Sequence, residues 1–391
     1  MKPKLHINSV EDAQRLAKRR LPPSVYNMIV GPRNDGATAR DNLRAFAEVG
    51  FRPRAAALHQ KRELATTVLG QSIAFPVIIA PTGHVRMAHR DGELGAAKAA
   101  GMMGTAIGIS TFSGYAIEDI AAATSGPVWY QLYYAGGRSG VEFGIERAKA
   151  AGCTALIITV DLAGTTYNRG AGEIPASINL RNMLRWAPEV LTRPRWLFDF
   201  MRDGMRLEVP NVRKSAQHAP MSMVEGMRSM FNLAFTWDDM AWIRQAWSGP
   251  IIVKGIMNGD DARRAIDAGA NAIVVSNHGA NALNGVPGTL RALPEVVRAA
   301  NGRAEVLLDS GVRSGVDVVK ALALGARAVL IGRAYIWGLA AGGTAGVERI
   351  LRIFREDIDT TVALLGCSSI HELDASHLDL PAAWPARTTA F

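Results

Sequence analysis

The stretch 273–294, IVVSNHGANALNGVPGTLRALP, holds the residues best suited to chemistry. An apolar run ends there in Ser276-Asn277-His278-Gly279. A histidine just past a buried strand stands where barrel enzymes keep reactive side chains. Its imidazole can take or give a proton near neutral pH. A second signal follows at VLLDSGVRSG (306–315) and a third at AVLIGRA (328–334). Each carries a strand, then glycine, then arginine, as a phosphate cradle requires: glycine lets backbone N–H groups approach, and arginine adds a fork of donors. The three together predict a histidine poised near a bound phosphate cofactor.

Positioning such residues needs a frame, and eight short β-rich runs supply one. They are PVIIA (76–80), GTAIGIS (104–110), PVWYQLY (127–133), ALIITVD (155–161), PIIVKG (250–255), AIVVSN (272–277), EVLLDS (305–310) and AVLIGR (328–333). Alanine-rich segments of helical period separate most of them, among them DDARRAIDAGA and GVDVVKALALGA. In AAGCTALII, DAGANAIVV and ALGARAVLI a glycine stops the helix and a strand follows at once. This repetition marks a stacked β/α unit. The expected fold is α/β, a closed (β/α)8 TIM barrel, with an open doubly wound sheet as the alternative. No GxGxxG follows the first strand, which argues against a dinucleotide fold. Residues 1–75 are expected to form an N-terminal helical cap and 76–391 the barrel. The latter includes a long insertion after the fourth strand (165–249) and C-terminal helices. Insertions of that length at a catalytic face are usually lids or substrate loops.

The chain has 391 residues, 48% of them hydrophobic and 20% charged, which suits a large packed core. No apolar run is long enough to span a bilayer. The opening MKPKLHINSVEDAQRLAKRR reads as an amphipathic helix, not a secretory leader, and predicts a cytoplasmic protein. Two cysteines, Cys153 and Cys367, make neither a disulfide framework nor a zinc cluster, so no metal is expected. Cys153 reads as a small core residue. The net charge is +9, yet no basic block with interleaved aromatics suggests a nucleic-acid path. Between 177 and 235 nine basic residues stand against five acids, with Trp186, Trp196 and Phe198 among them. That composition suits either a lid packed on its barrel or a peripheral membrane contact.

Several specific motifs extend along nearly the whole chain: LPPSVY (21–26), IAPTG (79–83), YQLY (130–133), TVD (159–161), VKG (253–255), SNHG (276–279), DSGVRSG (309–315) and IGRA (331–334). On these the chain closely resembles the FMN-dependent α-hydroxyacid oxidase and dehydrogenase family. AKRRLPPSVY, LTRPRWL (191–197) and HGANALNG (278–285) resemble its mycofactocin-biosynthetic branch most. The resemblance implies a barrel flavoenzyme with FMN as cofactor, assembled as a tetramer. It implies that Thr82 and Gly83 sit beside the flavin ring, and that Ser110, Gln131, Thr159 and Ser276 line its polar side. Lys254 is implied at the edge where reduction accumulates negative charge. Asp309, Gly311, Arg313, Gly332 and Arg333 are implied at the ribityl and phosphate end. His278 matches the catalytic base, Asp161 the group that stabilises its imidazolium, and Tyr133 the hydrogen bond to the substrate oxygen.

The chain departs from the hydroxyacid pattern where that family grips the substrate carboxylate. Asn281 replaces an arginine three residues after His278, Asn168 replaces another with Arg169 beside it, Met28 replaces a tyrosine, and Asn284 replaces an acid. Each lost charge-assisted bond costs about 1.5–3 kcal/mol, so selectivity for a small 2-hydroxy acid should fall away. Asparagine both donates and accepts, which suits a neutral or amide-bearing substrate. The resemblance then implies oxidative deamination of a lactam amine derived from a valine–tyrosine peptide terminus, giving an α-keto amide. Oxygen or another acceptor would take the electrons. The alternatives are a lactate-like 2-hydroxyacid dehydrogenase or oxidase using Arg169, and a catalytically silent flavin-binding scaffold.

Overall fold

All eight apolar runs are strands, and they close on one another. In a computed structural model describing residues 6–30, 35–57, 59–162, 180–213, 217–230, 234–382 and 384, they form a parallel barrel. We number its strands β1 (Val77–Ile79), β2 (Ile107–Ser110), β3 (Val128–Leu132), β4 (Ala155–Thr159), β5 (Ile251–Ile256), β6 (Ala272–Val275), β7 (Glu305–Leu308) and β8 (Ala328–Ile331). Each pairs with its sequence neighbour, and β8 closes on β1 with Val329 opposite Val77. Pairing of β4 with β5, Leu156 opposite Ile251, carries the barrel across the long insertion. A strand between barrel interior and helix ring is buried on both faces, which is why these runs read as continuous apolar stretches rather than alternating ones. The interior is filled by Ile78, Trp129, Ile157, Ile252, Val274, Leu307 and Leu330. The glycines expected to end helices do so with positive φ: Gly152 at 74°, Gly269 at 98° and Gly325 at 99°.

The segment before β1 is helical only in its first part. Helices α1 (Val10–Arg20), α2 (Pro23–Val30) and α3 (Ala37–Glu48) are followed by extended chain and a hairpin pairing Thr66–Val68 with Gln71–Ile73. β-Branched Thr66, Thr67 and Val68 before Gly70 favour that hairpin over a helix. Val68 and Ile73 plug the barrel floor, and Leu69 N–H donates to Glu305 at the start of β7 at 3.0 Å. Among the described residues, the helix predicted at the chain start begins at Val10, where Ser9 caps it by accepting from Asp12 N–H.

Helices α4 (Gly92–Met103), α5 (Ile117–Ala122) and α6 (Gly137–Ala150) follow β1, β2 and β3, but the stretch 165–249 is not inserted throughout. Asp239–Ala246 forms α10, which buries Met240 and Ile243 and leads into β5 as an ordinary barrel helix. Upstream of it lie α7 (Leu180–Leu191), α8 (Pro194–Arg202), a short ladder of Glu208–Val209 with Met221–Ser222, and α9 (Met223–Arg228). Helices α7 and α8 are two-faced. Trp196 and Phe200 stack at 4.8 Å, Trp196 Nε1 donates to Met87 O, and Trp186 Nε1 donates to Ser24 Oγ. Arg86 grips both oxygens of Asp203 at 2.6 and 2.7 Å just past α8, and so ties the insertion to the loop after β1. The opposite face leaves Leu184, Leu191, Phe198 and Met201 exposed, at 68%, 68%, 63% and 58%. Of the three aromatics grouped by composition, only Phe198 points outward. Among the described residues no helix is long and apolar enough to cross a membrane.

Candidate active site

The residues with chemistry meet at the C-terminal ends of the strands, where a parallel barrel opens its loops. His278 follows β6 in a tight turn whose φ angles are all positive: His278 at 58°, Gly279 at 63° and Ala280 at 68°. The left-handed region costs a residue with a Cβ about 1–2 kcal/mol, so something must hold the turn. A closed ring of hydrogen bonds does. Ser276 Oγ accepts from His278 N–H at 3.1 Å and from Lys254 Nζ at 2.8 Å. Lys254 pairs with Asp309 at 3.1 Å, Asp309 accepts from Ser310 Oγ at 2.7 Å, and Ser310 Oγ accepts from Gly279 N–H at 2.8 Å. From the cap, Asn42 and Asn277 exchange amide hydrogen bonds at 2.9 and 2.7 Å.

His278 is gripped on both ring nitrogens. Nε2 lies 3.1 Å from the Tyr133 hydroxyl and Nδ1 lies 3.2 Å from Asp161 Oδ1. Burial alone would raise the Asp161 pKa, but His278 and Lys254 outweigh it and hold the carboxyl below its usual range. Asp161 is thus an anion at neutral pH, aimed at the imidazole and able to stabilise its charged form. Its second oxygen is buried without a hydrogen-bond partner among the described residues. Burial, then Asp161 and Asp309, push the Tyr133 phenol well above its ordinary pKa, so it keeps its proton. The glycine of VKG is a packing necessity. Gly255 has φ 108°, and a Cβ there would come within 2.5 Å of Asp161 Cβ.

Around this triad the strand ends carry a polar ladder. Ser110 Oγ donates to Gln131 Oε1 at 3.1 Å, and Gln131 Nε2 donates to Thr159 Oγ1 at 3.0 Å. Lys254 closes the row. Burial opposes its charge, yet Asp309 and Asp161 raise its pKa, so it stays an ammonium. Thr82 and Gly83 stand at the end of β1, where a Cβ on Gly83 would meet Phe112 Cβ at 2.8 Å.

Arg313 and Arg333 test whether this site suits a phosphate cofactor. Burial pushes Arg313 down to about 9, with Arg333 as the next cause, and burial also lowers Arg333. Arg313 lies 5.0 Å over the Trp337 ring and donates to its neighbour's carbonyl, Val312 O. Arg333 donates to Gly279 O at 2.7 Å. Neither is ion-paired with a carboxylate among the described residues. Two guanidinium groups set together without an anion are costly unless a dianion joins them. The donor set therefore fits the phosphate of FMN. Gly332 fits too, since a Cβ there would have only Thr82 Oγ1 near it, at 3.9 Å. Gly311 is explained by the cap instead: at φ 95°, a Cβ would come within 2.4 Å of Asn42 O.

The structure thus brings His278, Asp161, Tyr133, Lys254, Ser276, Asp309 and the Ser110–Gln131–Thr159 row to one mouth. Asn281 is half-buried three residues past His278, and its side chain hydrogen-bonds to no described residue. Asn284 faces elsewhere, donating to Asp35 at 2.7 Å and accepting from Thr38 N–H. Asn168 and Arg169 lie outside the described residues. Sequence reading missed Ser310 and Asn42, which brace the histidine turn. Ser310 sat inside a recognised motif, whereas nothing in sequence ties Asn42 to a residue 235 positions away.

Comparison with known proteins agrees with this geometry. Residues 17–380 match the family model described as FMN-dependent dehydrogenase. The chain is 45% identical over 377 residues to pre-mycofactocin synthase of Mycobacterium tuberculosis (strain CDC 1551 / Oshkosh), covering 95% of this chain and 94% of that protein. It is 38% identical over 377 residues to L-lactate dehydrogenase of Xanthomonas euvesicatoria pv. vesicatoria (strain 85-10), covering 95% and 96% respectively. A solved structure of the monotopic membrane protein (S)-mandelate dehydrogenase superposes with a TM-score of 0.88 at 34% identity, over 96% of this chain and all of that one. With a closed barrel, a half-buried arginine pair suited to a phosphate and a family match across most of its length, the chain belongs to the FMN-dependent dehydrogenases and is an FMN-dependent oxidoreductase.

Proposed function

We propose that this protein oxidises an amine on an amide-bearing substrate, of the type made from a peptide's valine–tyrosine end, to an α-keto amide. One contrast carries the reading. The His278–Asp161–Tyr133 constellation is complete, while Asn281 occupies the place of a carboxylate-binding arginine. The greater identity to pre-mycofactocin synthase than to L-lactate dehydrogenase supports it. When bound, FMN supplies a two-electron acceptor for the substrate carbon that loses its hydrogen. His278 Nε2 takes the proton, from the amine or from the carbon, and Asp161 stabilises the charge that appears on the ring. Tyr133, protonated at neutral pH, donates to the substrate's polar atom. Lys254, fixed by Ser276 and Asp309, keeps a positive charge beside the polar ladder. Arg313 and Arg333 would hold the cofactor phosphate. The substrate imine then takes up water and releases ammonia. Oxygen or another acceptor removes the electrons.

The test is anaerobic mixing of the holoenzyme with L-lactate, L-mandelate and the valine–tyrosine-derived lactam amine, following visible flavin absorbance. Bleaching by the lactam amine alone is the expected result. Rapid bleaching by a hydroxy acid would sink the reading and favour the 2-hydroxyacid alternative, for which Arg169 is the available cation. On the family resemblance we read the assembly as a tetramer, which sedimentation equilibrium measures directly.

We further read the outer face of α7 and α8 as a peripheral membrane contact. Exposed Leu184, Leu191, Phe198 and Met201 stand among Arg181, Arg195 and Arg202, a pattern suited to anionic lipid. Sedimentation with anionic phospholipid vesicles should pull the protein down. The double substitution Leu191→Ser and Phe198→Ser should weaken that by more than about tenfold, given about 1.5–3 kcal/mol for each large apolar side chain. Equal binding by the variant would rule this face out.

A further inference from the structure

The wall beside Tyr133 carries an imidazole that the chemistry above leaves unused. His84 follows Thr82-Gly83 in the loop after β1, held at φ 59° by its N–H donating to Phe112 O at 3.0 Å. Its ring centroid lies 5.7 Å from that of Phe112, which lies 5.5 Å from Tyr133, whose hydroxyl touches His278. Four rings therefore run in a strip from the base to His84. The insertion covers this strip, because Val209, Val212, Met221 and Met230 pack with Phe112 and Tyr133. The cover is close: a Cβ on Gly226 would come within 3.0 Å of the Phe112 ring.

Neither ring nitrogen of His84 hydrogen-bonds to another described residue. No carboxylate answers it either, and burial pushes its pKa down to about 4, so the ring is neutral at physiological pH. A neutral imidazole offers one N–H donor and one acceptor nitrogen, and because this ring is only half-buried both are open to a ligand that displaces water. A carboxylate placed there would lose its hydration without gaining a counter-charge. An amide would lose little and gain a hydrogen bond.

We propose that His84 is a substrate-binding residue whose imidazole N–H donates to the amide carbonyl oxygen of the substrate, selecting amides over carboxylates. The proposal rests on the amide-bearing reading of the site. It assigns selectivity to the loop after β1 as well as to the lost arginine.

The test uses the holoenzyme and two unreactive probes of matching shape, phenylacetamide and phenylacetate, read by the perturbation of visible flavin absorbance. Wild type should bind the amide more tightly than the acid. His84→Leu should weaken the amide by about tenfold, the loss of one hydrogen bond, and leave the acid unchanged. His84→Gln, which restores a donor, should recover amide binding to within about threefold. If the leucine chain does not retain flavin, His84→Met makes the same comparison. Unchanged amide affinity, or equal weakening of both probes, would overturn the proposal and leave His84 a packing residue. The substrate assignment is read separately: failure of the lactam amine to bleach the flavin, with the amide preference intact, would remove that substrate and keep His84.

Discussion

Replacing His278 with alanine should leave a yellow, folded protein whose turnover falls by about 10²–10⁴-fold. The size follows from the geometry. Among the described residues at this mouth, His278 is the imidazole held on both nitrogens by groups that define its role, Asp161 at 3.2 Å and Tyr133 at 3.1 Å. Removing it takes away the proton acceptor but none of the groups that fit the flavin, since Lys254 keeps Ser276 and Asp309 as partners. Flavin content by absorbance after desalting, and single-turnover reduction under anaerobic conditions, separate the two effects. Asp161→Asn should lose less, because the base survives and only the stabilisation of its charge is gone. Unaltered single-turnover reduction in the alanine variant would remove His278 from the mechanism.

Arg333→Ala should cut the protein's preference for FMN over riboflavin by about ten- to a hundredfold. In the wild type, both guanidinium groups are half-buried, and burial followed by the charge on Arg333 pushes Arg313 down only to about 9, so it stays charged at neutral pH. The apoprotein carries the whole of that repulsion and desolvation, and a bound phosphate relieves it. Losing one arginine removes a charge-assisted contact of about 1.5–3 kcal/mol, or roughly ten- to a hundredfold in affinity. It also removes the repulsion, so the Tm of the apoprotein should rise while that of the holoprotein falls. Thermal melts with and without FMN and riboflavin read both shifts, because a ligand that binds only the native state raises Tm with its concentration. A variant whose preference for FMN is unchanged would place the phosphate elsewhere.

The frame was legible because barrel strands advertise themselves locally. PIIVKG and AIVVSN needed only their own composition and a preceding helix–glycine stop to be recognised, and β5 and β6 appear there. The placing of the two arginines was equally legible, since Arg313 and Arg333 each sit a few residues past a strand. What misled was composition without direction. Trp186, Trp196 and Phe198 read as one aromatic cluster, yet helical spacing turns the tryptophans onto Met87 and Ser24 and leaves Phe198 in solvent. Asn284 looked like part of the altered substrate grip, but the loop carries it back to Asp35 and Thr38 in the cap.

Sequence alone determined which strands exist and which side chains follow them at the catalytic face, because each depends on periodicities and turns within a few dozen residues, whereas closure is decided by Val329 of β8 meeting Val77 of β1. Only the tertiary structure decided how His278 is held in a left-handed turn, that Asn42 from the cap braces it, and that His84 joins its aromatic wall. Those facts depend on contacts between segments far apart in the chain. A hydrogen bond of 2.9 Å across 235 residues leaves no local pattern to read.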